Sequence, residues 1–398
     1  MSRAVVSDTL ARRIEERLDA GRRFFEADAE RIARLCHRMA ERFSRGGRLV
    51  ALGSTPAARS DARHVAVEFV HPVIVGKRAL PALALAGEGG PLTAQAELGC
   101  EPDDIAMAFE SGPDVSDAVA AAGKRGCLTV AYSSGAPAEW VLEPPSDDPF
   151  VRQELVETVY HVLWELVHVF FEHRGLLEGR EAQAVHDTGA SSFLYPFLAE
   201  SESDLESVVD DVRRSAAMKA DEVGALREQT LTDGREALTG AAADLRRCFE
   251  ASGKLLALGN GGSATDAMDA VADFRAAPQG WPARRAIDLT EDPAILTAIA
   301  NDIGVEEIFQ RQVIAYGRSG DALLALSTSG NSANVIEALA EARSRGLVTV
   351  AMVGYDGGRV AAEELADRVV VTRSEHIPRI QEAQASAYHV LRELVELA

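Results

Sequence analysis

Apolar positions recur at helical spacing through residues 7–45 (Leu10, Ile14, Leu18, then Phe25, Ile32, Leu35, Met39, Phe43) among many charges, and residues 204–250 repeat the pattern. Both stretches predict long amphipathic helices. The second ends in LRRCFEASG, where Gly253 suits a helix C-cap. Each is followed by a short apolar run stopped by glycine, RLVALG and KLLALG. Further apolar runs at IAMAF (105–109), LTVAYS (128–133), ALLALS (322–327), VTVAMVG (348–354) and RVVVT (368–372) predict short buried strands. Helical stretches such as SANVIEALAEARSRG separate them. Alternation of this kind predicts an α/β fold with a doubly wound parallel sheet flanked by helices.

The pattern is written twice. VRQELVETVYHVLWELV (151–167) and RIQEAQASAYHVLRELV (379–395) share nine of seventeen positions, GGRLVALGS (46–54) parallels SGKLLALGN (252–260), and SDARHVAVEF (60–69) parallels TDAMDAVADF (265–274). A repeat of this period predicts two tandem copies of one domain. The offset between copies grows from 205 at Asp61/Asp266 to 218 at Ser111/Ser329 and 228 at His161/His389, so the N-terminal copy has lost about 23 residues. The expected boundaries are a degenerate domain at 1–173, a linker at 174–203 and a fuller domain at 204–398.

Composition narrows the chemistry. A formal charge of −21 argues against a nucleic-acid binder, which needs clustered Lys and Arg on phosphates. It leaves room for a local anion site built from backbone amides. No run approaches a membrane span, and the N-terminus is an amphipathic, mixed-charge helix without an apolar signal core; the expected address is the cytoplasm. The four cysteines lack metal-site or redox spacing and read as reduced and structural.

The chemistry sits in two loops of the C-terminal copy, GNGGSATDAM (259–268) and STSGNSANV (327–335), each after a strand and before a helix. Glycine lets amides approach an anion, the helix start offers unpaired N–H groups, and the hydroxyls add donors. In open parallel sheets, ligands bind beyond the carboxyl ends of the strands, where both loops lie.

The run GNGGSATDAM…LTAIANDIG…STSGNSANV…GYDGG…RIQEAQASAYH resembles the phosphoheptose isomerases over essentially all of 205–398. These are SIS-domain (sugar isomerase) enzymes that interconvert sedoheptulose 7-phosphate and a heptose 7-phosphate. The resemblance implies two tandem SIS domains. It implies that Asn260, Gly261, Gly262 and Ser263 line the sugar phosphate, that Asn301 and Asp302 contact its hydroxyls, and that Ser327, Thr328, Ser329 and Ser332 hold the phosphate. Gln381 and His389 match the family's functional Gln and His on the last helix. The family's His and Glu, four residues apart, are replaced here by Asp269 and Asp273. The side chain at 273 is one methylene shorter than glutamate, displacing a base by about 1 Å at a cost on the order of 100-fold.

The N-terminal copy reverses this. His64 and Glu68 stand where the family has its pair, and with Gln153 and His161 they complete the family's quartet, two nitrogens and two oxygens suited to zinc. Its cradle is gone: GSTPAAR replaces GNGGS, FESGPD replaces STSGNS, and Glu110 and Asp114 repel a phosphate. Aldose–ketose isomerisation needs a base for the proton alpha to the carbonyl and an acid or metal for the developing enediolate. The candidate base is Glu68 or Asp273, and the candidate acid His161 or His389. A division of labour follows, with the C-terminal copy binding the phosphosugar. The alternative is a non-catalytic phosphosugar-binding or protein-interaction module. Apolar faces on the long N-terminal helices predict a homodimer or other homo-oligomer.

Overall fold

The computed structural model describes residues 3–74, 77–173, 176–177 and 204–397. The expected linker, with its FLYPFL run, lies outside the described residues apart from 176–177. Contacts divide the chain into two units. One comprises Asp19–Asp148 and Leu155–Asp221, and the other Met1–Leu18, Pro149–Glu154 and Glu222–Ala398.

The chain opens with α1 (Arg3–Ser44). The first unit holds strands β1 (Leu49–Leu52), β2 (Ala82–Leu85), β3 (Ile105–Ala108), β4 (Leu128–Ala131) and β5 (Trp140–Val141). They form one parallel sheet in the order β2-β1-β3-β4-β5. Between them run α2 (Pro56–Val70), α3 (Leu92–Gly99) and α4 (Pro113–Lys124); α5 (Pro149–Glu172) and, beyond 203, α6 (Leu205–Asp233) follow, with Pro149–Glu154 and the stretch from Glu222 belonging to the second unit. Val50, Leu52, Ala106, Ala108 and Val119 form part of its core.

The second unit repeats the design. After α7 (Arg235–Glu250) come β6 (Leu255–Leu258), α8 (Gly262–Arg275), β7 (Ala286–Asp288), α9 (Pro293–Asp302) and α10 (Gln310–Tyr316). Then follow β8 (Ala322–Ser327), α11 (Ala333–Ser344), β9 (Val348–Gly354), α12 (Gly358–Ala362), β10 (Arg368–Thr372) and α13 (Ile377–Leu397). The sheet order, β7-β6-β8-β9-β10, is that of the first unit, and every pair is parallel. Both faces are covered: Leu255, Ala257 and Leu324 pack with α7, α8 and α13, while Leu256, Leu323 and Val353 pack with α10 and α11. Burial on both faces is why these strands read as unbroken apolar runs. The tandem doubly wound architecture expected from the repeat is therefore present.

Three strands go beyond those the sequence predicts. β2 is half-exposed throughout, β5 has two residues and β7 three; all lie at sheet edges. The helix expected over 204–250 is broken at Gly234, where a Cβ would lie 2.9 Å from the Val370 side chain on β10. Gly253 is not the cap residue. Ser252 takes the left-handed conformation (φ 63), and Gly253 is required because a Cβ there would lie 2.8 Å from the Gly320 carbonyl.

Candidate functional site

In an open parallel sheet, ligands bind where strand order reverses. In the second unit that point lies between β6 and β8, and the two glycine- and serine-rich loops follow those two strands. After β6 the chain must turn into α8 at once. A Cβ on Gly259 would stand 2.1 Å from the Ser263 carbonyl, and Gly261 is left-handed (φ 58). Neither α8 nor α11 has a side-chain hydrogen bond at its N-cap, Gly261 and Ser332 respectively. Two helix starts therefore present unsatisfied N–H groups and positive dipole ends at the switch point.

The loop after β8 is held from behind. Gly354 N–H donates to the Thr328 carbonyl (3.0 Å), Val360 N–H to the Gly330 carbonyl (3.1 Å), and Arg359 N–H to Asn331 Oδ1 (2.9 Å). This packing needs glycine: a Cβ on Gly330 (φ 61) would meet the Gly357 carbonyl at 2.2 Å, and one on Gly358 (φ 54) the Ser329 carbonyl at 2.4 Å. The GYDGG segment is thus the brace of the STSGNS loop. Gly330→Ala is expected to destabilise the protein by about 1–3 kcal/mol, read from the denaturant midpoint. Asn260 and Asn334 exchange amide bonds of 2.9 and 3.0 Å, tying the two loops together. Beside the loop a cavity of about 710 Å³ is lined by Ser329, Asn331, Tyr355, Asp356, Arg373, Ser374 and Glu375. Asn301 and Asp302 lie exposed at the end of α9, where the Asn301 amide donates to Asp302 (2.7 Å).

Further along α8, Asp269 and Asp273 share one helix face, as their spacing predicts, and both are buried. His389 of α13 points at them, with Nε2 3.3 Å from Asp269 Oδ2 and 3.5 Å from Asp273 Oδ2. Asp269 also accepts from the Tyr388 hydroxyl (2.8 Å) and the Gln153 amide (2.9 Å). On its other side His389 Nδ1 lies 3.0 Å from Glu154 Oε1, and the Phe150 ring stacks on the imidazole at 4.6 Å. Arg17 of α1 donates through Nε to both Glu154 oxygens at 3.0 Å. Gln381 is buried on the same helix as His389.

Burial fixes the charge states. Desolvation raises Asp273 well above the ordinary carboxylate range, and the neighbouring Asp269 adds to the shift. Desolvation works against a charged His389, but bonds to Asp269 and Glu154 and the charge of Asp273 outweigh it and raise the imidazole well above its usual value. Glu154, also opposed by burial, is driven below the carboxylate range by Arg17 and His389. These directions favour a charged imidazole at His389 and a neutral carboxyl at Asp273.

In the first unit His64 and His161 are buried with ring centroids 5.0 Å apart. Glu68 Oε1 lies 3.9 Å from His64 Nε2. The third donor is Glu157, one turn before His161: one donor atom each from His64, Glu157 and His161 lies within 4.8 Å of the others. Gln153, expected in that quartet, is committed to Asp269. The set fits a zinc-type ion, since two imidazoles and a carboxylate are its usual protein ligands and all three are buried. Asp269, Asp273 and His389 also bring three donors together. As arranged, their imidazole faces carboxylates through both nitrogens, which is the geometry of a proton donor. Glu157 escaped the sequence reading because its counterpart in the repeat is Ala385; its spacing of four from His161 was the available signal.

The first unit's own loop after β1 is filled by its own side chain. The Glu110 carboxylate accepts from Ser54 N–H (2.7 Å), the Ser54 hydroxyl (2.7 Å) and Thr55 N–H (2.8 Å). Asp114 accepts likewise from Leu92 and Thr93 N–H at the start of α3.

Two parallel sheets of one order, with helix starts at the switch point, make this a tandem doubly wound α/β protein, and the comparisons place it among the SIS-domain proteins. A family model described as a SIS domain matches residues 220–354. Across 98% of this chain and 95% of its own, the C-terminal domain of glucosamine-fructose-6-phosphate aminotransferase from Francisella tularensis superposes with TM-score 0.62 at 9% identity, a likeness of fold alone. The phosphoheptose isomerase of Chlorobium phaeobacteroides is 44% identical over 196 residues, 48% of this chain and 82% of that enzyme. That of Geobacter metallireducens is 45% identical over 147 residues, 36% of this chain and 75% of the relative. The chain belongs to the phosphoheptose isomerase family.

Proposed function

We propose that the protein is a sugar-phosphate isomerase of the aldose–ketose type, acting on a heptose phosphate such as sedoheptulose 7-phosphate, with the working site in the second unit. The observation that carries this reading is the buried Asp269–Asp273–His389 array on the helix that begins at the phosphate cradle. The amides of Gly262 and Ser263 and the hydroxyls of Ser327, Thr328, Ser329 and Ser332 hold the phosphate. At 1.5 Å per residue, Asp269 lies about 10 Å along α8 from Gly262 and Asp273 about 16 Å. The phosphate thus sits at one end of the helix and the proton-transfer groups two to three turns on.

The carboxylate of the Asp269/Asp273 pair removes the proton from the carbon next to the carbonyl. The electron pair moves into the new carbon–carbon double bond, and the carbonyl oxygen becomes an enediolate oxygen that the His389 imidazolium meets with a proton. Return of that proton to the neighbouring carbon, while the other enediol hydroxyl gives its proton back to the His389 imidazole as the new carbonyl forms, completes the isomerisation. A pair of close carboxylates sharing one proton can serve both directions.

Zinc would be held by His64, Glu157 and His161 in the first unit, where it supplies Lewis-acid character when bound. His161→Ala is expected to abolish stoichiometric zinc uptake, measured by titration calorimetry on the full chain. Homo-oligomerisation follows from the family resemblance and is read by light scattering.

A second reading is favoured by one observation. His389 is held between carboxylates on both sides, Glu154 and Asp269, as in a phosphosugar-binding regulator without turnover. Incubation with sedoheptulose 7-phosphate, with product followed by mass-resolved chromatography and a thermal shift in parallel, separates the two. Aldose product supports the isomerase, a shift without product supports the binder, and neither signal overturns the substrate class.

A further inference from the structure

The pair Gln153-Glu154 in the N-terminal repeat aligns with Gln381-Glu382 in the C-terminal one. The two glutamates do different things. Glu382 pairs with Arg379, three residues away on its own helix, at 2.7 Å. Glu154 instead reaches His389, 235 residues on in the chain, at 3.0 Å. It is 1% exposed, and every side of it is occupied. Arg17 donates through Nε to both oxygens, with Nη2 2.9 Å from Oε1, and the Ser386 hydroxyl donates to Oε2. Arg227 donates to the Glu154 backbone carbonyl at 3.0 Å, fixing the main chain beneath it. One helical turn earlier, Phe150 lays its ring on the imidazole of His389.

The first turns of α5 therefore supply both a charged partner in the plane of the His389 ring and an aromatic face against it. A single bond at Nδ1 leaves a ring free to tilt about that bond. A stacked ring added to it fixes both rotations, and the only direction left for Nε2 is toward Asp269 and Asp273. A carboxylate on one imidazole nitrogen is the general device by which proteins select which nitrogen faces the reaction.

We propose that Glu154 is a positioning residue for His389. It is clamped by Arg17, and it holds the imidazole so that Nε2, not Nδ1, addresses the Asp269/Asp273 pair. The kinetic arm of its test rests on the isomerase reading; the spectroscopic arm does not. On this view the N-terminal repeat, stripped of its own phosphate cradle, is kept in part because its closing helix begins inside the working site of the other copy. The sequence repeat hides this role, because it pairs Glu154 with Glu382.

The test uses the full-length protein with ¹⁵N-labelled histidine, as wild type, Glu154→Gln, and Arg17→Met/Glu154→Gln. The double variant removes both buried charges together, so it folds even where an orphaned Arg17 unfolds the single one. With sedoheptulose 7-phosphate, Glu154→Gln is expected to lower kcat about 100-fold with KM within about twofold, as loss of an orienting partner does. The same change made in a His389→Gln background is expected to add no further loss, because the two residues act as one unit. In the ring spectrum, the His389 signals, assigned by their loss in His389→Gln, are expected to shift in both Glu154 variants. Unchanged His389 signals in the folded double variant would overturn the proposal whatever the activity. So would an additive loss in the two backgrounds. Turnover that survives His389→Gln would instead sink the isomerase mechanism, and the ring spectrum would still decide whether Glu154 positions the imidazole.

Discussion

Replacing His389 by glutamine is expected to lower kcat by about 100- to 10,000-fold, the range for loss of a general acid, with KM nearly unchanged. Glutamine keeps the approximate volume and a hydrogen-bonding end, so the pocket between Phe150 and Asp269 stays filled. In the proposed mechanism, what disappears is the proton that the imidazolium brings to the enediolate oxygen. The separation of kcat from KM follows from the proposed site, with the phosphate at the start of α8 and Asp269 and Asp273 two to three turns along it. Asp273→Asn should behave similarly, while Ser329→Ala should raise KM with kcat little altered. A steady-state series of these three variants checks the assignment. A His389→Gln enzyme with full kcat would transfer the chemistry elsewhere or favour the binding module.

The second large effect is on stability. Arg17→Met is expected to destabilise the protein by about 3–5 kcal/mol, because it leaves Glu154 buried without its principal counter-charge. Arg17 is itself 2% exposed and touches Glu154 and Glu393, whereas the Arg227 guanidinium stands farther from the Glu154 carboxylate, at 4.0 Å. The pH dependence has a definite sign. Glu154 is depressed in the folded state, so its stabilisation is complete above about pH 4.3 and drains as acid protonates it. His389 is raised, so its stabilisation is complete below about pH 6.5 and is lost as the pH climbs through its folded value. The cluster contributes most between those limits. Without Arg17 the Glu154 ionisation moves up, and the acid limb of a urea-midpoint-against-pH profile should shift to higher pH.

Much of the fold was legible because both faces of each central strand are buried. ALLALS, VTVAMVG and RVVVT read as strands and are strands over those residues. RVVVT reads the same way although it lies at a sheet edge, whereas Ala82–Leu85 is a four-residue stretch between Pro81 and Gly87 and Ala286–Asp288 has three residues ending in aspartate, and neither stood out as a strand. The loops after β6 and β8 were legible through glycines whose necessity is local. The charged cluster was only half legible. Asp269, Asp273 and His389 follow from the family resemblance, but Arg17 sits among the many charges of an amphipathic helix, where a solvated side chain is the ordinary expectation. Its burial depends on a glutamate far away in sequence, and no periodicity encodes that. Glu154 was misdirected by the same repeat that revealed the domains, since two aligned residues can face different partners.

The loop after β1 carries a longer-lived consequence of duplication. Glu110 delivers a carboxylate to Ser54 and Thr55 on the protein's own chain. A tethered group of this kind acts at an effective concentration of millimolar or more. A free phosphosugar competing for those amides would have to displace a competitor that never diffuses away. The loop after β1 thus keeps a permanent occupant, whereas among the described residues no side-chain hydrogen bond caps the helix that starts after β6.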